Sequence, residues 1–495
     1  MNPLPALLVC ILGIFALFFL DRDKSIRTSK AFWLPVIWLW IVGSRPASAW
    51  LGVQSAVIDR AQVLEGSPTD RLVFEILLGI GIIVLIFRSS RTSALLKENW
   101  LILSYFSYCL LSITWSDFPG VAFKRWTKAI GDLVMVLIVL TETDVAAALK
   151  RLFARVGFIL LPFSVLLIRY FGELGRGYDP DGNPMNTGVT TNKNSLGVIT
   201  FVITLGALWN VLALLRTKEE PHRSRRLLAQ GALLITGGAL LAMAHSATSS
   251  ACFALGAVLI LATNQPVIRR RPWTLHAIVL TIVLGCALTM LLSGRAVVLH
   301  AMGRETNLTG RADIWNAVIP VAPNAAVGAG FESFWLGPRL DQVWARLPSV
   351  YMHVDEAHNG YLEVYLNLGL VGVSFIALIL FTGYRRAVAT FRRNPALGSL
   401  MLAYVATAAI YGITEASFRL LCPAWIFLVF AVVAFGRDSR AVGAHQEVGA
   451  IASNAARLSP TLHAARLRKT AQSFIRTAAS TQYLQSPVRR CPDHT

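Results

Sequence analysis

The densest group of side chains able to move a proton in this sequence is the run D-E-A-H-N-G-Y-L-E-V-Y from Asp355 to Tyr365. Imidazole titrates near neutrality, so His358 can take the proton of a hydroxyl as its oxygen attacks. If a helix begins here, His358, Tyr361, Leu362 and Tyr365 share one face, and Asp355, three residues before the histidine, is placed to orient the ring. A plainer use of the same residues is for His358 and Asn359 to cap a helix.

Cations able to hold an anion lie upstream. The run G-R-A-D-I-W-N-A-V from Gly310 to Val318 predicts a helix with Arg311 and Trp315 at i,i+4 on one face. A planar guanidinium makes paired hydrogen bonds to phosphate oxygens, which makes Arg311 a candidate phosphate ligand. A surface ion pair from Arg311 to Asp313 or Glu332 is the alternative. The glycine- and proline-rich loop at 171–194 has Arg176 and Lys193 as its only cations. Beside a membrane that composition suits gripping an anionic head group, and it equally suits a connector in which Lys193 marks a helix end. Lys124 and Arg125, beside Trp126, read as an interfacial anchor or as a third cationic contact. The run from Gly328 to Pro338, G-A-G-F-E-S-F-W-L-G-P, reads as an aromatic loop at a membrane interface or as a sugar-stacking surface.

What must position these residues is a set of membrane helices. The chain has 495 residues, 55% hydrophobic and 15% charged, with a mean hydropathy of +0.57, far too apolar for a soluble globular protein. Apolar runs long enough to span fall near 3–20, 72–87, 99–115, 152–170, 195–215, 227–246, 275–292, 368–383, 397–415 and 419–435, with shorter or interrupted ones near 31–43, 127–140 and 250–263. They predict an all-α polytopic membrane protein of 12 or 13 transmembrane helices. The first run has neither a basic n-region before it nor a small-residue cleavage site, so it is expected to be a retained helix.

Charge sets the orientation. Lys and Arg total 46 against 27 Asp and Glu, a formal net charge of +19. The basic residues gather in alternate short loops, around 22–30, 88–97, 150–151, 216–226, 269–271 and 385–393, as cytoplasmic loops do, so the excess does not imply nucleic acid. The segments at 171–194 and 293–367 then face the other side, and the second is one large loop holding Arg311 and His358. Irregular polar backbone of that length cannot lie loose in the hydrocarbon, so the chemistry belongs outside it. A transmembrane domain over 1–435 is therefore expected, followed by a basic, disordered cytoplasmic tail over 436–495 attracted to anionic membrane lipid. The six cysteines show no metal-ligand spacing and no disulfide framework.

The order T-N-K-N at 191–194, G-R-x-D-I-W at 310–315, G-A-G-F at 328–331 and H-N-G-Y-L-E at 358–363 resembles the bacterial O-antigen ligase and polymerase superfamily, most nearly its exopolysaccharide polymerases, over a core at about 190–380. The resemblance implies a membrane glycosyltransferase of the inner membrane, independent of metal and cofactor, with a large periplasmic loop and a cytoplasmic C-terminus. Such an enzyme passes glycan from an undecaprenyl-diphosphate-linked donor to a hydroxyl on a polysaccharide or on lipid A-core, in exopolysaccharide or lipopolysaccharide synthesis, with chain-length or export proteins as possible partners. Carried over residue by residue, the base falls on His358 and the diphosphate contact on Arg311, with Arg176, Lys193 and Arg125 as further cations and Asp355, Asn359 and Trp315 as supports. Where many relatives carry an S-R-G-type turn this chain has Ser246-Ala247-Thr248, which removes a cation there. A transporter or flippase of lipid-linked oligosaccharides is the alternative, and it would keep its ionisable groups near the bilayer midplane.

Overall fold

A computed structural model describes residues 3–23, 28–53, 66–179, 182–216, 222–270, 273–279, 281, 285, 309–347 and 354–433. The tail expected at 436–495, most of the run expected at 275–292 and the first part of the large loop lie outside the described residues. Within them the chain is helical apart from one small hairpin, in which Arg176–Tyr178 pairs antiparallel with Pro184–Asn186.

Among the described residues six helices are long and apolar enough to cross a membrane: Pro3–Leu20, Val145–Tyr170, Lys193–Arg216, Arg223–Ala244, Gly360–Arg393 and Pro395–Thr414. The pair Pro68–Phe87 and Ser89–Glu98, bent by 97°, meets the same length and apolarity requirement only when its two helices are taken together. Shorter apolar helices cover Lys30–Val42, Trp100–Trp115, Ala247–Thr263 and Pro423–Val432. Helix starts carry the expected chemistry. The Asp144 carboxylate accepts from the Ala147 amide, and Asn394 accepts from Leu397 with Pro395 at the first helical position. Pro162 sits inside the Val145–Tyr170 helix, tolerated where neighbouring helices surround the freed backbone group.

Three boundaries differ from those read in the sequence. The run at 127–140 is the later part of the 22-residue helix Pro119–Leu140, whose first turns carry Lys124 and Arg125 and so hide its length from a hydropathy window. The helix expected near 368 starts at Gly360 and is interrupted at Gly369, where φ is 65°. The last span begins at Pro423 rather than near 419, so residues 415–422 form a connecting loop that contains Glu415 and Arg419.

The break at Gly369 is a docking point. Across it Leu370 and Val371 donate backbone N–H groups to the carbonyls of Ala325 and Ala326, while Ala329 and Gly330 donate to Leu366 and Asn367. The Asn367 side-chain oxygen takes the amides of Ser333 and Phe334 at 2.8 and 3.0 Å. A helix interrupted by a left-handed glycine exposes unpaired backbone groups, and the loop at 325–334 satisfies them. Above that joint a small apolar core gathers Ile314, Val318, Phe334, Trp335, Val343 and Leu366. The aromatic run at 328–338 is thus a core and not the interfacial or sugar-stacking surface its composition suggests: Phe331, Phe334 and Trp335 are 6%, 0% and 8% exposed.

The basic loops meet one another at one end of the bundle. Arg88 pairs with Glu142 and Arg226 with Asp23, Arg151 donates to Thr28, Arg216 to the Asn264 carbonyl and Arg386 to the Glu98 carbonyl. The Lys193–Arg216 helix has 24 residues and so runs about 36 Å from that end to the other, a membrane's width. Its far end, with the starts of the Thr309–Val318 and Gly360–Arg393 helices, holds the polar segment.

Candidate functional site

The H-N-G-Y-L-E motif is first a piece of folding chemistry. Asn359 Oδ1 accepts from the amides of Tyr361 and Leu362 at 3.0 and 3.1 Å, capping the helix that begins at Gly360. Gly360 is buried, and a Cβ there would stand 3.0 Å from Phe418 and from the Ser417 hydroxyl. Glu363 reaches back from the first turn, one oxygen taking the Ala357 amide at 2.9 Å and the other the Trp335 indole N–H at 2.6 Å. Trp315 donates its own indole N–H to the Ala357 carbonyl at 2.9 Å. Ala357 is therefore held through both its amide and its carbonyl, and the next residue is His358.

His358 has φ 47°, in the left-handed region, and precedes the helix. It does not share a helical face with Tyr361 and Tyr365, and the capping duty belongs to Asn359 alone. Asp355 is exposed, and Glu356 and Glu415 stand where an orienting carboxylate was expected. Nδ1 of His358 is 2.9 Å from Glu356 Oε1 and 3.6 Å from Glu415 Oε2, close pairings that lack the alignment of a full hydrogen bond. Burial of the ring opposes its cation, but the two carboxylates outweigh burial and raise the imidazole above its ordinary value. Burial likewise opposes the Glu356 carboxylate, and His358 with Arg419 overcomes it, drawing Glu356 down to about 2.

Glu415 is the hub. Its side chain is 6% exposed, and Arg311 Nη2 lies 2.9 Å from its Oε1. Asn194, from the T-N-K-N run, donates to both its oxygens at 3.2 and 3.1 Å. Arg311 thus pairs with neither Asp313 nor Glu332. Arg419 donates to Glu356 at 3.1 Å and lies 3.8 Å from Glu332. Burial disfavours its cation, yet the charges of Glu332, Glu356, Glu363 and Asp355 raise the guanidinium above its usual value. Arg125 enters from the Pro119–Leu140 helix and donates to the Glu332 carbonyl.

Of the cations named from sequence, Arg311 and Arg125 belong to this cluster. Lys193 opens the helix whose next residue, Asn194, joins it. Arg176 does not join it: it lies in the hairpin, where its Nε donates to the Ile168 carbonyl at 3.0 Å. The turn at Ser246 touches the cluster through Asn194, 3.4 Å from the Ser246 hydroxyl. Atoms of Glu356, His358 and Glu415 come within 4.8 Å of one another, the spacing of a metal site. Arg311 and Arg419 already occupy those carboxylates, which makes the trio an ion-pair network rather than a ligand set.

Glu415, Arg419 and Glu363 were missed in the sequence. A signal existed for two of them. Glu415 and Arg419 are charged residues lying between and inside apparently continuous apolar runs, a placement that is costly unless the pair has work to do.

Comparison with known proteins bears on this geometry. Residues 231–377 match the family model described as O-antigen ligase. That interval holds Arg311, His358 and Glu363 and stops short of Glu415 and Arg419. The exopolysaccharide production protein ExoQ of Rhizobium meliloti (strain 1021) is 24% identical over 294 residues, 57% of this chain and 64% of its own length. The chain therefore aligns with a little under two thirds of that relative.

Proposed function

We propose, on the premise that residues 231–377 are an O-antigen ligase domain, that this multi-pass bacterial membrane protein is a glycosyltransferase of cell-surface polysaccharide synthesis. It takes glycan from an undecaprenyl-diphosphate-linked donor and passes it to a hydroxyl on a growing polysaccharide or on lipid A-core. The observation that carries this reading is the convergence of Arg311 and His358 on Glu415, at the end of the bundle opposite the basic loops. By the positive-inside rule the basic end is cytoplasmic. The cluster then faces the periplasm from the inner membrane. Arg386 donates to the Val432 carbonyl, so the last described helix ends at the basic end, in keeping with a cytoplasmic C-terminus.

The chemistry follows from the charges. Guanidinium groups of Arg311 and Arg125 hold the diphosphate and stabilise the charge it gains as the anomeric bond breaks. The acceptor oxygen attacks the anomeric carbon, the bonding pair leaves with the diphosphate, and the hydroxyl proton passes to Nε2 of His358 in the neutral fraction that its raised titration leaves. One displacement inverts the anomeric configuration. The position of the cluster at one end of the helices, rather than midway along them, favours this over a flippase.

The test is transfer from a synthetic undecaprenyl-diphosphate oligosaccharide by protein reconstituted in vesicles. Arg311→Ala and His358→Ala, inserted normally, should each lose at least about a hundredfold in turnover, on the scale of a lost general base or charge clamp. Wild-type turnover in either variant, or a product of retained configuration, overturns the reading.

A further inference from the structure

Arg311 and His358 share one carboxylate, and they cannot both use it fully. Glu415 Oε1 is 2.9 Å from Arg311, while Oε2 stops 3.6 Å from His358 Nδ1, short of a hydrogen bond. Two amide contacts from Asn194 hold the same two oxygens. The arginine expected to bind diphosphate therefore carries an internal anion, and the base has an incomplete contact on its Nδ1 side. A diphosphate oxygen and Glu415 compete for the same guanidinium.

We infer that Glu415 is a positioning residue that couples donor binding to the base: donor diphosphate displaces it from Arg311, and the freed carboxylate closes onto Nδ1 of His358. This rests on the glycosyltransferase reading above. Closure needs less than about 1 Å of movement to reach hydrogen-bond distance. With Nδ1–H held by a carboxylate, the lone pair of the neutral ring is fixed on Nε2, and the imidazolium formed when Nε2 takes the acceptor's proton is stabilised across the ring. The groups facing His358 are Glu356 and Asp355 on its own loop, Glu415 and Arg419 on the 415–422 loop, and Arg311 on the Thr309–Val318 helix. Glu356 already lies at hydrogen-bond distance and takes Arg419 at the same time. Neither carboxylate makes a full hydrogen bond to Nδ1, and Glu415 is the one of the two whose present partner is the phosphate ligand.

Two measurements on Glu415→Gln test this, and a structural role alone would move neither in the expected direction. Binding of inorganic pyrophosphate to the reconstituted protein should tighten by about threefold or more, because the internal competitor has lost its charge. The acid limb of the transfer rate against pH should move down by on the order of one unit, with a lower plateau, because the imidazolium has lost a partner. Glu415→Asp keeps the charge and should leave the limb near its wild-type position. Unchanged or weaker pyrophosphate binding together with an unmoved limb overturns the inference, whatever the loss of activity. The transferase reading fails separately: wild-type protein that binds pyrophosphate through Arg311, shown by loss of binding in Arg311→Ala, yet transfers no sugar would sink that reading alone, and the pyrophosphate measurement on Glu415→Gln would still be read.

Discussion

Trp335 and Glu363 are joined by a 2.6 Å hydrogen bond from the indole N–H to a carboxylate oxygen, and both side chains are buried. The bond ties the aromatic loop to the first turn of the Gly360–Arg393 helix, and the other Glu363 oxygen holds the Ala357 amide beside His358. Removing the carboxylate leaves two buried donors without an acceptor. Glu363→Ala should cost about 2–6 kcal/mol, at about 1–3 kcal/mol per orphaned donor, and should depress transfer by loosening the loop that carries the histidine. Glu363→Gln keeps one acceptor oxygen and should lose roughly half as much. Thermal unfolding in detergent measures both, and equal midpoints for wild type and Glu363→Ala would show that the brace contributes nothing.

Gly369 is a position where only glycine fits, for two separate reasons. Its φ is +65°, and a Cβ would meet the Ala326 carbonyl at 2.2 Å. Gly369→Ala should destabilise by about 2–5 kcal/mol, combining the left-handed backbone cost with overpacking against rigid main chain. The consequence reaches the site because the loop pushed away at Ala326 continues to Glu332, which Arg125 and Arg419 contact. Limited proteolysis should cut the 324–334 loop faster in the variant. An unchanged rate and an unchanged midpoint would refute the docking argument.

Asp132 steadies the opposite wall. In the Pro119–Leu140 helix, 1% exposed, it accepts from the Trp38 indole and from the Leu421 amide, each at 2.8 Å. Leu421 has φ 55°, a strained conformation for leucine that persists where surrounding bonds hold it. Two residues earlier in the same loop is Arg419. Asp132→Ala should therefore lower the unfolding midpoint and also weaken transfer from a distance, whereas Asp132→Asn, which keeps one acceptor, should fall between. Full activity in Asp132→Ala with a lowered midpoint would separate stability from site geometry.

These three braces mark where sequence reading stops. The apolar runs, the all-α polytopic class and the family resemblance were legible because lipid demands long uniform stretches and because T-N-K-N, G-R-x-D-I-W and H-N-G-Y-L-E stand in order. The meeting of Arg311 with His358 was legible only as a grouping in one segment. Its agent, Glu415, lies in a short loop 57 residues beyond His358, and no spacing rule links residues that far apart. The aromatic loop was misread because composition cannot distinguish a tryptophan at an interface from one whose N–H is satisfied by a buried glutamate. Asp355 was preferred over Glu356 by assuming a helix that in fact starts later, at Gly360.

The Glu356–His358 pair gives the loop a pH dependence whose sign can be stated for each partner. Glu356 is lowered from 4.5 to about 2 in the folded protein, so its contribution is present above about 4.5 and is lost as pH falls towards 2. His358 is raised from 6.5, so its contribution is full below about 6.5 and is lost as pH rises through its higher folded value. The pair therefore stabilises the loop most between about pH 4.5 and 6.5. Glu356→Gln should flatten the acid side of the unfolding midpoint against pH, because the group that binds a proton on unfolding is gone. His358→Gln should flatten the alkaline side, because no imidazolium remains to be lost. An acid limb as steep in Glu356→Gln as in wild type would assign acid sensitivity to other carboxylates and remove Glu356 from the account of what holds His358.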